Sequence, residues 1–237
     1  MLLINIAVLS AAAIMAYKRN ALDLKGVLAA FLVGLVTLEL GGIIPFLALA
    51  TFLGIGTLAT KYRFKEKAKM KIAEGMRGTR SWGNVFGNGL IAALLIVVEY
   101  VTKQDIVWAA AFSSIATANA DTLASELGKV FGKNPRLITN LREKVKPGAN
   151  GGVTLQGELF AFAGSFIIAL IALPLFQNKL FALIAITLGG FLGCNADSVI
   201  GATIENRGWF NNDLTNFAAT AVGALIGALI FLALGGV

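Results

Sequence analysis

The 237-residue sequence contains no histidine, one cysteine and four prolines, and only 14% of its residues are charged. With Cys194 alone, the chain cannot form an internal disulfide, and without histidine it cannot build a Cys/His metal site. The usual general base near neutral pH is missing as well. Any chemistry therefore depends on carboxylates, lysine, arginine, hydroxyl groups or a bound metal ion.

Long hydrophobic runs dominate the chain instead. Hydrophobic residues make up 57% of it, and the mean hydropathy is +0.78, which is typical of an integral membrane protein. A membrane-spanning helix needs about 20 mainly apolar residues. Eight segments approach that length: Leu2–Tyr17, Gly26–Leu40, Ile43–Thr60, Gly87–Val101, Ile106–Leu127, Gly157–Phe176, Phe181–Glu205 and Leu214–Gly235. The sequence predicts one integral membrane domain over residues 1–237, an all-α polytopic transmembrane helix bundle of about eight spans.

The basic residues indicate the orientation of the bundle. With eight spans and the N-terminus outside, the loops at 18–25, 61–86, 128–156 and 206–213 share one side and hold 18 of the 20 lysines and arginines. The positive-inside rule places that side in the cytoplasm of a multi-pass cell-membrane protein. We interpret the six cations from Lys61 to Lys71 as a surface along anionic head groups. No recognised module supports nucleic-acid binding.

A short polar phrase occurs twice, each time near the end of an apolar segment. It reads Asn-Ala-Asp-Thr at 119–122 and Asn-Ala-Asp-Ser at 195–198. A carboxylate in the hydrocarbon core costs roughly 2.5 to 3.5 kcal/mol on insertion scales, so these side chains are expected to be functional. One span separates the two segments, which therefore run in the same direction. This predicts a parallel internal repeat that places Asp121 and Asp197 at one depth, near the inner interface; the alternative is a structural polar contact between helices.

Further residues follow the two aspartates at helical spacing. On the first span Ser125 follows Asp121, and Glu126 follows Thr122, each at i, i+4. On the second span Gly201 and Glu205 follow Asp197 at i+4 and i+8, where the glycine leaves room for a close neighbour. Carboxylate, amide and hydroxyl oxygens are the ligands that Mg²⁺ prefers, and it commonly joins one or two carboxylates to substrate phosphates. The pattern predicts a magnesium site.

A glycine-rich stretch, Lys-Pro-Gly-Ala-Asn-Gly-Gly-Val-Thr at 146–154, precedes the sixth span. Glycines let the backbone approach a ligand, and successive N–H groups before a helix form an anion-binding nest. The stretch lacks the Gly-Lys-Ser/Thr ending of a Walker A loop. We expect a phosphate site here, with a plain connecting turn as the alternative.

Two arginines, Arg77 and Arg80, lie among glycines and hydroxyl residues before the fourth span. Such arginines suit bidentate phosphate contacts, although positive-inside flanking also accounts for them. Near the C-terminus, Asp213 is expected to cap the last helix. Gly223 and Gly227 predict a close packing seam on that helix.

The residues that carry these motifs resemble the transmembrane protein 19 family. The resemblance rests on three ordered stretches, Asp-Thr-Leu-Ala-Ser-Glu-Leu-Gly at 121–128, Pro-Gly-Ala-Asn-Gly-Gly-Val-Thr at 147–154 and Asp-Ser-Val-Ile-Gly-Ala-Thr at 197–203. That family was long a domain of unknown function and includes the plant phytyl-phosphate kinase of tocopherol synthesis. The resemblance implies transfer of a phosphoryl group from a nucleoside triphosphate, such as CTP, to an isoprenoid monophosphate at a cytoplasmic active site.

The resemblance also implies roles for individual residues. Asp121, Glu126 and Asp197 are expected to be catalytic and to hold Mg²⁺. The expected phosphate- and substrate-binding residues are Arg77, Arg80, Asn119, Ser125, Lys146, Asn150, Gly151, Gly152, Thr154, Asn195, Ser198 and Glu205. The expected partners are the lipid bilayer and the two substrates, and a homo-oligomer is left open.

Two other functions compete with the kinase. A cytidylyltransferase would use the same magnesium and phosphate sites but would form a CDP-lipid. A transporter usually has inverted repeats with a site at the midplane, whereas this repeat is parallel and lies near one face. Prenyl chain length, saturation and nucleotide preference are not determined by the sequence.

Overall fold

A computed structural model describes residues 2–73 and 78–236 of the chain. In this part of the chain the helices are α1 (Leu2–Lys18), α2 (Leu24–Val36), α3 (Ile43–Lys61), α4 (Phe64–Lys69), α5 (Trp82–Thr102), α6 (Asp105–Phe131), α7 (Leu155–Ala172), α8 (Lys179–Thr203) and α9 (Asn212–Ala233). A π-helical turn, Thr37–Gly41, extends α2, and short 3₁₀ turns follow α7 and α8. Each predicted segment coincides with one long helix.

The all-α polytopic bundle predicted from the sequence is confirmed, while the number of spans is approximate. Within residues 2–73 and 78–236, six helices are long and apolar enough to cross a membrane: α2 with its extension, α3, α5, α7, α8 with its following turn, and α9. Helix α1 is apolar but has 17 residues. Helix α6 has 27 residues, but it carries many polar side chains and is not one of these six.

Helix α6 is the centre of the bundle. It contacts α3, α5, α7, α8 and α9, and every residue from Trp108 to Ala120 is buried. Its buried serine, threonine and asparagine side chains therefore face other helices rather than lipid, and Asn119 makes a hydrogen bond to α7. This position explains how a helix with an aspartate and a glutamate belongs to the bundle.

Glycines bring α6, α8 and α9 unusually close together. A Cβ atom added at Gly189 would lie 2.8 Å from the Cα atom of Gly227, and one added at Gly193 would lie 2.9 Å from the Cα atom of Gly223. The predicted seam at Gly223 and Gly227 is therefore confirmed. It packs against α8 and against α6, since a Cβ atom at Gly223 would lie 1.9 Å from Thr117 Oγ1. Because the residue numbers along the contact between α8 and α9 run in opposite directions, α8 and α9 are antiparallel.

The contact between α6 and α8 has the opposite sense. Gly190 lies against Ala116, and Gly193 lies against Thr117. Residue numbers rise together along the two helices, so α6 and α8 run parallel. This is the arrangement predicted from the repeated phrase.

The loop between α6 and α7 contains a small sheet that the sequence did not predict. Its strands are β1 (Arg136–Leu137), β2 (Asn140–Lys144) and β3 (Gly152–Val153), in the order β2-β1-β3 with both pairings antiparallel. The sheet folds this loop back over the end of the bundle, so that residues 147–154 line the cavity described below.

The start of α9 differs from the prediction. The cap is Asn211, whose side-chain Oδ1 accepts a hydrogen bond of 2.9 Å from the backbone N–H of Leu214. Asn211 has the extended backbone that a capping residue needs (φ −99°, ψ 170°), whereas Asp213 lies inside the first helical turn. The capping role expected for Asp213 is therefore wrong.

Candidate functional site

A polar cavity of about 350 Å³ lies at the end of the bundle where the loop 132–154 folds back. It is bounded by the polar ends of α5, α6, α8 and α9, by the first turn of α7 and by the glycine-rich loop. Eleven of the predicted site residues line it: Arg80, Asp121, Ser125, Glu126, Asn150, Gly151, Gly152, Thr154, Asp197, Ser198 and Glu205. The fold thus gathers residues from four separate motifs into one place.

The two aspartates of the repeated phrase face each other in this cavity. Thr117 lies against Gly193, and one turn further along each parallel helix come Asp121 and Asp197. Asp197 is close enough to both Asp121 and Glu205 for their negative charges to repel its own. The Oδ2 atom of Asp197 is buried and has no hydrogen-bond partner among the described residues. An arrangement of like charges with a buried oxygen fits a site that receives a cation.

The asparagines of the repeated phrase have a different place from the one expected. The Nδ2 atom of Asn119, a fully buried residue, donates a 2.9 Å hydrogen bond to the backbone oxygen of Gly164 on α7. The Nδ2 atom of Asn195 donates to Glu158 Oε2, also on α7, at 3.1 Å. Neither asparagine is among the described residues that line the cavity. Each of them connects its aspartate-bearing helix to α7.

Two other predicted residues are not found at the cavity wall. Lys146 is exposed and is not one of the described lining residues. Arg77 lies outside the described residues.

Glu126 is paired with two lysines. Its Oε2 atom accepts a hydrogen bond from Lys67 Nζ, and its Oε1 atom lies 3.1 Å from Lys129 Nζ. Lys67 Nζ also donates to the backbone oxygens of Ala59 (3.1 Å) and Thr60 (2.8 Å) in the last turn of α3. Glu126 therefore connects α6 to α4 through Lys67, a structural role beside the metal-binding role predicted for it.

The burial of Lys67 corrects the interpretation of the basic run at 61–71. Lys67 is fully buried, while Lys65 and Lys69 on the same short helix are exposed. That interpretation is therefore wrong for Lys67. The signal that could have found it is the spacing from Phe64, a half-buried residue one turn earlier on the same face of α4.

Sequence reasoning also missed Glu158 as a site residue. It lies in the first turn of α7, lines the cavity and accepts the hydrogen bond from Asn195. Its charge acts, together with those of Asp121 and Asp197, on the buried Cys194 thiol. The available signal was an acidic residue just after a glycine-rich loop, because the N-terminus of a helix favours negative charge.

The glycine-rich loop is fixed by its own hydrogen bonds. The backbone N–H of Gly152 donates to Ala149 at 2.9 Å, so it is already used within the loop. Gly148 and Gly151 have positive φ angles of 80° and 73°, which only glycine adopts at no steric cost. The loop packs on α8 where a Cβ atom at Gly201 would lie 3.3 Å from the backbone nitrogen of Gly151. The close neighbour predicted for Gly201 is this loop.

The loop leads directly into the capped N-terminus of α7. Thr154 is the cap, since its Oγ1 atom accepts a 3.0 Å hydrogen bond from the backbone N–H of Gly157. Thr154, Gly157 and Glu158 all line the cavity. The positive end of the α7 dipole thus lies at the cavity wall, where it favours an anion.

Arg80 brings positive charge to the wall of the polar cavity. Its backbone N–H donates to the oxygen of Ala21, and its own oxygen accepts from the N–H of Asp23, both at 3.0 Å. The side chain is buried, and the guanidinium carbon lies 5.2 Å from the ring centroid of Phe52. The backbone of Arg80 is fixed by these hydrogen bonds and its side chain by the contact with Phe52. The guanidinium can therefore bind phosphate with a defined geometry.

The oxygen donors of the cavity fit a magnesium ion that takes some of its ligands from the protein and the others from a substrate. No three acidic or thiol groups in the described part of the chain are placed to enclose a metal ion by themselves. Asp121 and Asp197 offer two carboxylates on facing helices. Mg²⁺ is usually bound by one or two carboxylates, with substrate phosphates and water completing its octahedron.

Comparison with known proteins gives one family match and several relatives. The family described as Integral membrane protein DUF92 matches residues 7–224. An uncharacterized membrane protein of Methanocaldococcus jannaschii is 35% identical over 98% of this chain and 95% of its own length. Protein VTE6, chloroplastic, of Arabidopsis thaliana is 31% identical over 88% of this chain and 65% of its own. Protein PGR of the same plant is 33% identical over 88% and 80%. No solved structure matches the chain.

Proposed function

The chain belongs to the DUF92 family of integral membrane proteins, and we propose that it is a membrane-embedded kinase for prenyl monophosphates. It would transfer the γ-phosphoryl group of CTP or another nucleoside triphosphate to the acceptor phosphate and form the diphosphate. The resemblance to the transmembrane protein 19 family, which includes a plant phytyl-phosphate kinase, supports this substrate class. The similarity to the chloroplastic protein VTE6 supports the same family assignment.

The observation that carries the proposal is the facing pair of Asp121 and Asp197 in one cavity. The cavity also holds Arg80 and the N-terminus of α7. Phosphoryl transfer needs positioning and charge stabilisation more than covalent chemistry from the protein. The carboxylates can hold a cation, and Arg80 and the N-terminus of α7 attract anions in the same cavity. Together they supply both the positioning and the charge stabilisation.

The residues of the chain have distinct parts in the reaction. A prenyl monophosphate dianion is itself a nucleophile, so its oxygen attacks the γ-phosphorus without a strong general base, in agreement with the absence of histidine. The new P–O bond forms as the bond to the nucleoside diphosphate breaks, and that diphosphate leaves with the electron pair. Arg80 and the α7 N-terminus would orient the phosphates and neutralise their charge.

Asp121 and Asp197 are the residues that we expect to hold Mg²⁺, which when bound neutralises charge on the nucleotide phosphates. Glu126, which is paired with Lys67 and Lys129, would support this group by fixing the end of α6. The lysine- and arginine-rich loops lie at the cavity end of the bundle, which supports a cytoplasmic site open to soluble nucleotide.

The test is phosphoryl transfer by purified protein in detergent. With Mg²⁺, geranylgeranyl monophosphate and γ-³²P-labelled CTP or ATP, we expect label in a lipid diphosphate separated by chromatography. Asp121→Asn and Asp197→Asn should each lower kcat at least about 100-fold, the size seen when a charge-stabilising group is removed. Asp105→Asn, the same substitution at the opposite end of α6, is the matched control and should keep activity.

Each contrary result identifies a different function. Label that enters lipid only from α-labelled CTP would indicate the cytidylyltransferase. No lipid labelling by protein that remains folded would exclude both enzymes and favour transport. Equal activity of the Asp121, Asp197 and Asp105 variants would show that the cavity is not the active site.

A further inference from the structure

A second cavity, of about 120 Å³, lies between α1, α2, α3 and α5. Its walls are almost wholly apolar. Small side chains such as Ala13, Ala16 and Ala30 leave the space open, and Phe31, Phe46 and Phe52 form its larger surfaces. Nothing in the reaction described above uses this space.

The apolar cavity adjoins the polar one. Only two polar side chains, Arg80 and Asn84, line the second cavity among the described residues, and both also line the first. The guanidinium of Arg80 lies over the Phe52 ring, and the same residue also lines the polar cavity. Gly56 makes room for this placement, since a Cβ atom there would lie 2.6 Å from Arg80 Nη2.

We propose that the apolar cavity binds the hydrocarbon tail of the lipid substrate at the carbons nearest its phosphate, with Arg80 at the junction. The inference rests on the proposed function, because it assigns the tail of the same substrate. A molecule with an anionic head and an apolar tail matches the two cavities in charge and in polarity. The head would contact Arg80 while the first carbons of the tail lie along Ala13 and Ala30.

The size of the cavity limits how much of the tail it holds. A volume of 120 Å³ suits only the part of a long prenyl chain next to the phosphate. The rest of the chain would continue along the lipid-facing side of α2, where Leu28 and Leu32 are about 60% exposed. Each methylene transferred from water to an apolar site improves binding about fourfold. Affinity should therefore rise steeply with the first carbons of the tail, and less steeply once the cavity is filled.

Photo-crosslinking tests the location without requiring turnover. The probe is a prenyl monophosphate with a diazirine on the carbons nearest the phosphate, irradiated with wild-type protein in detergent, and labelled peptides are identified by mass spectrometry. We expect label on α1 and α2 near Ala13 and Ala30, and we expect geranylgeranyl monophosphate to compete with it. Competed label found only on α7, α8 or α9 would overturn the tail site and leave the kinase intact. Competed label on α1 and α2 without any phosphoryl transfer would overturn the kinase and leave the tail site intact. No competed label anywhere would overturn both.

Paired variants test the same site kinetically. Ala13→Phe fills the cavity, whereas Ala11→Phe places the same side chain on the exposed side of α1. Ala13→Phe should raise KM for the prenyl monophosphate at least about tenfold, since two or more methylene contacts are lost at about fourfold each. Its KM for nucleotide should stay unchanged, and Ala11→Phe should behave as wild type. Ala30→Leu on α2 is a second, smaller obstruction in case Ala13→Phe does not fold. Equal KM values for Ala11→Phe and both cavity variants would overturn the proposal.

Discussion

Replacement of Lys67 by methionine should destabilise the protein strongly. Lys67 is fully buried and donates to Glu126 and to the oxygens of Ala59 and Thr60. Those two oxygens lie at the C-terminal end of α3, where helix carbonyls lack intrahelical partners and a cation is favoured. Methionine has a similar shape but no charge, so it leaves Glu126 with Lys129 alone.

The magnitude follows from the loss of one partner in a buried ion pair, about 3 to 5 kcal/mol. For chains of 150–250 residues, 1 kcal/mol lowers Tm by roughly 2 to 4 °C, which gives a fall of roughly 6 to 20 °C. The measurement is the thermal unfolding midpoint in one detergent at a fixed heating rate. Lys69→Met, the same change on the exposed side of α4, should alter stability by no more than about 0.5 kcal/mol.

A double variant separates the ion pair from general damage. In Lys67→Met combined with Glu126→Gln, the buried charge is removed together with its partner. The loss should therefore be smaller than the sum of the two single losses. Equal melting of the Lys67→Met and Lys69→Met proteins would refute the reasoning, because it would mean that the buried pair contributes nothing.

Three further predictions concern the cavity and the helix seam. Glu158→Gln should lower kcat/KM in steady-state assays about 10- to 100-fold, the size usual for a group that supports a metal site. Asn195→Ala removes the hydrogen bond to Glu158 and should reproduce part of this loss. Unchanged kinetics in both variants would contradict a supporting role. Gly151→Ala places a side chain at φ 73°, 2.4 Å from the Cβ atom of Ala202 and 2.8 Å from the Ser198 oxygen. It should cost at least about 1 to 2 kcal/mol for the backbone conformation alone and raise KM for nucleotide; a wild-type KM would separate the loop from nucleotide binding. Gly227→Leu should force α9 away from α6, because a Cβ atom there would lie 1.9 Å from Ser113 Oγ. It should cost about 1 to 3 kcal/mol, measured as a lower Tm; an unchanged Tm would mean that the seam tolerates a side chain.

The bundle and the pair of aspartates could be predicted because their signals are local and repeated. Apolar runs of suitable length indicate helices directly. The phrase at 119–122 and 195–198, with one span between its copies, also determines that α6 and α8 run parallel. Equal distances from Thr117 and Gly193, which lie in contact, then place Asp121 opposite Asp197.

Contacts between distant segments could not be predicted in this way. The burial of Lys67 depends on a carboxylate 59 residues away. The spacing from Phe64 indicates which side of α4 is buried, but it does not indicate the partner that Lys67 meets there. The asparagines beside the aspartates looked like ligands by proximity in sequence. Their side chains instead leave the helix on the side facing α7. The small sheet is formed by strands as short as two residues, too short for an alternating pattern to show.

The central position of α6 has a consequence for biosynthesis. A helix that carries Asp121 and Glu126 toward one end and many hydroxyl side chains along its length gains little from contact with lipid, since polar and acidic side chains oppose insertion. The helices that surround it later in the chain, α7, α8 and α9, are synthesised after it. We therefore expect α6 to be stably inserted only after those helices have packed around it.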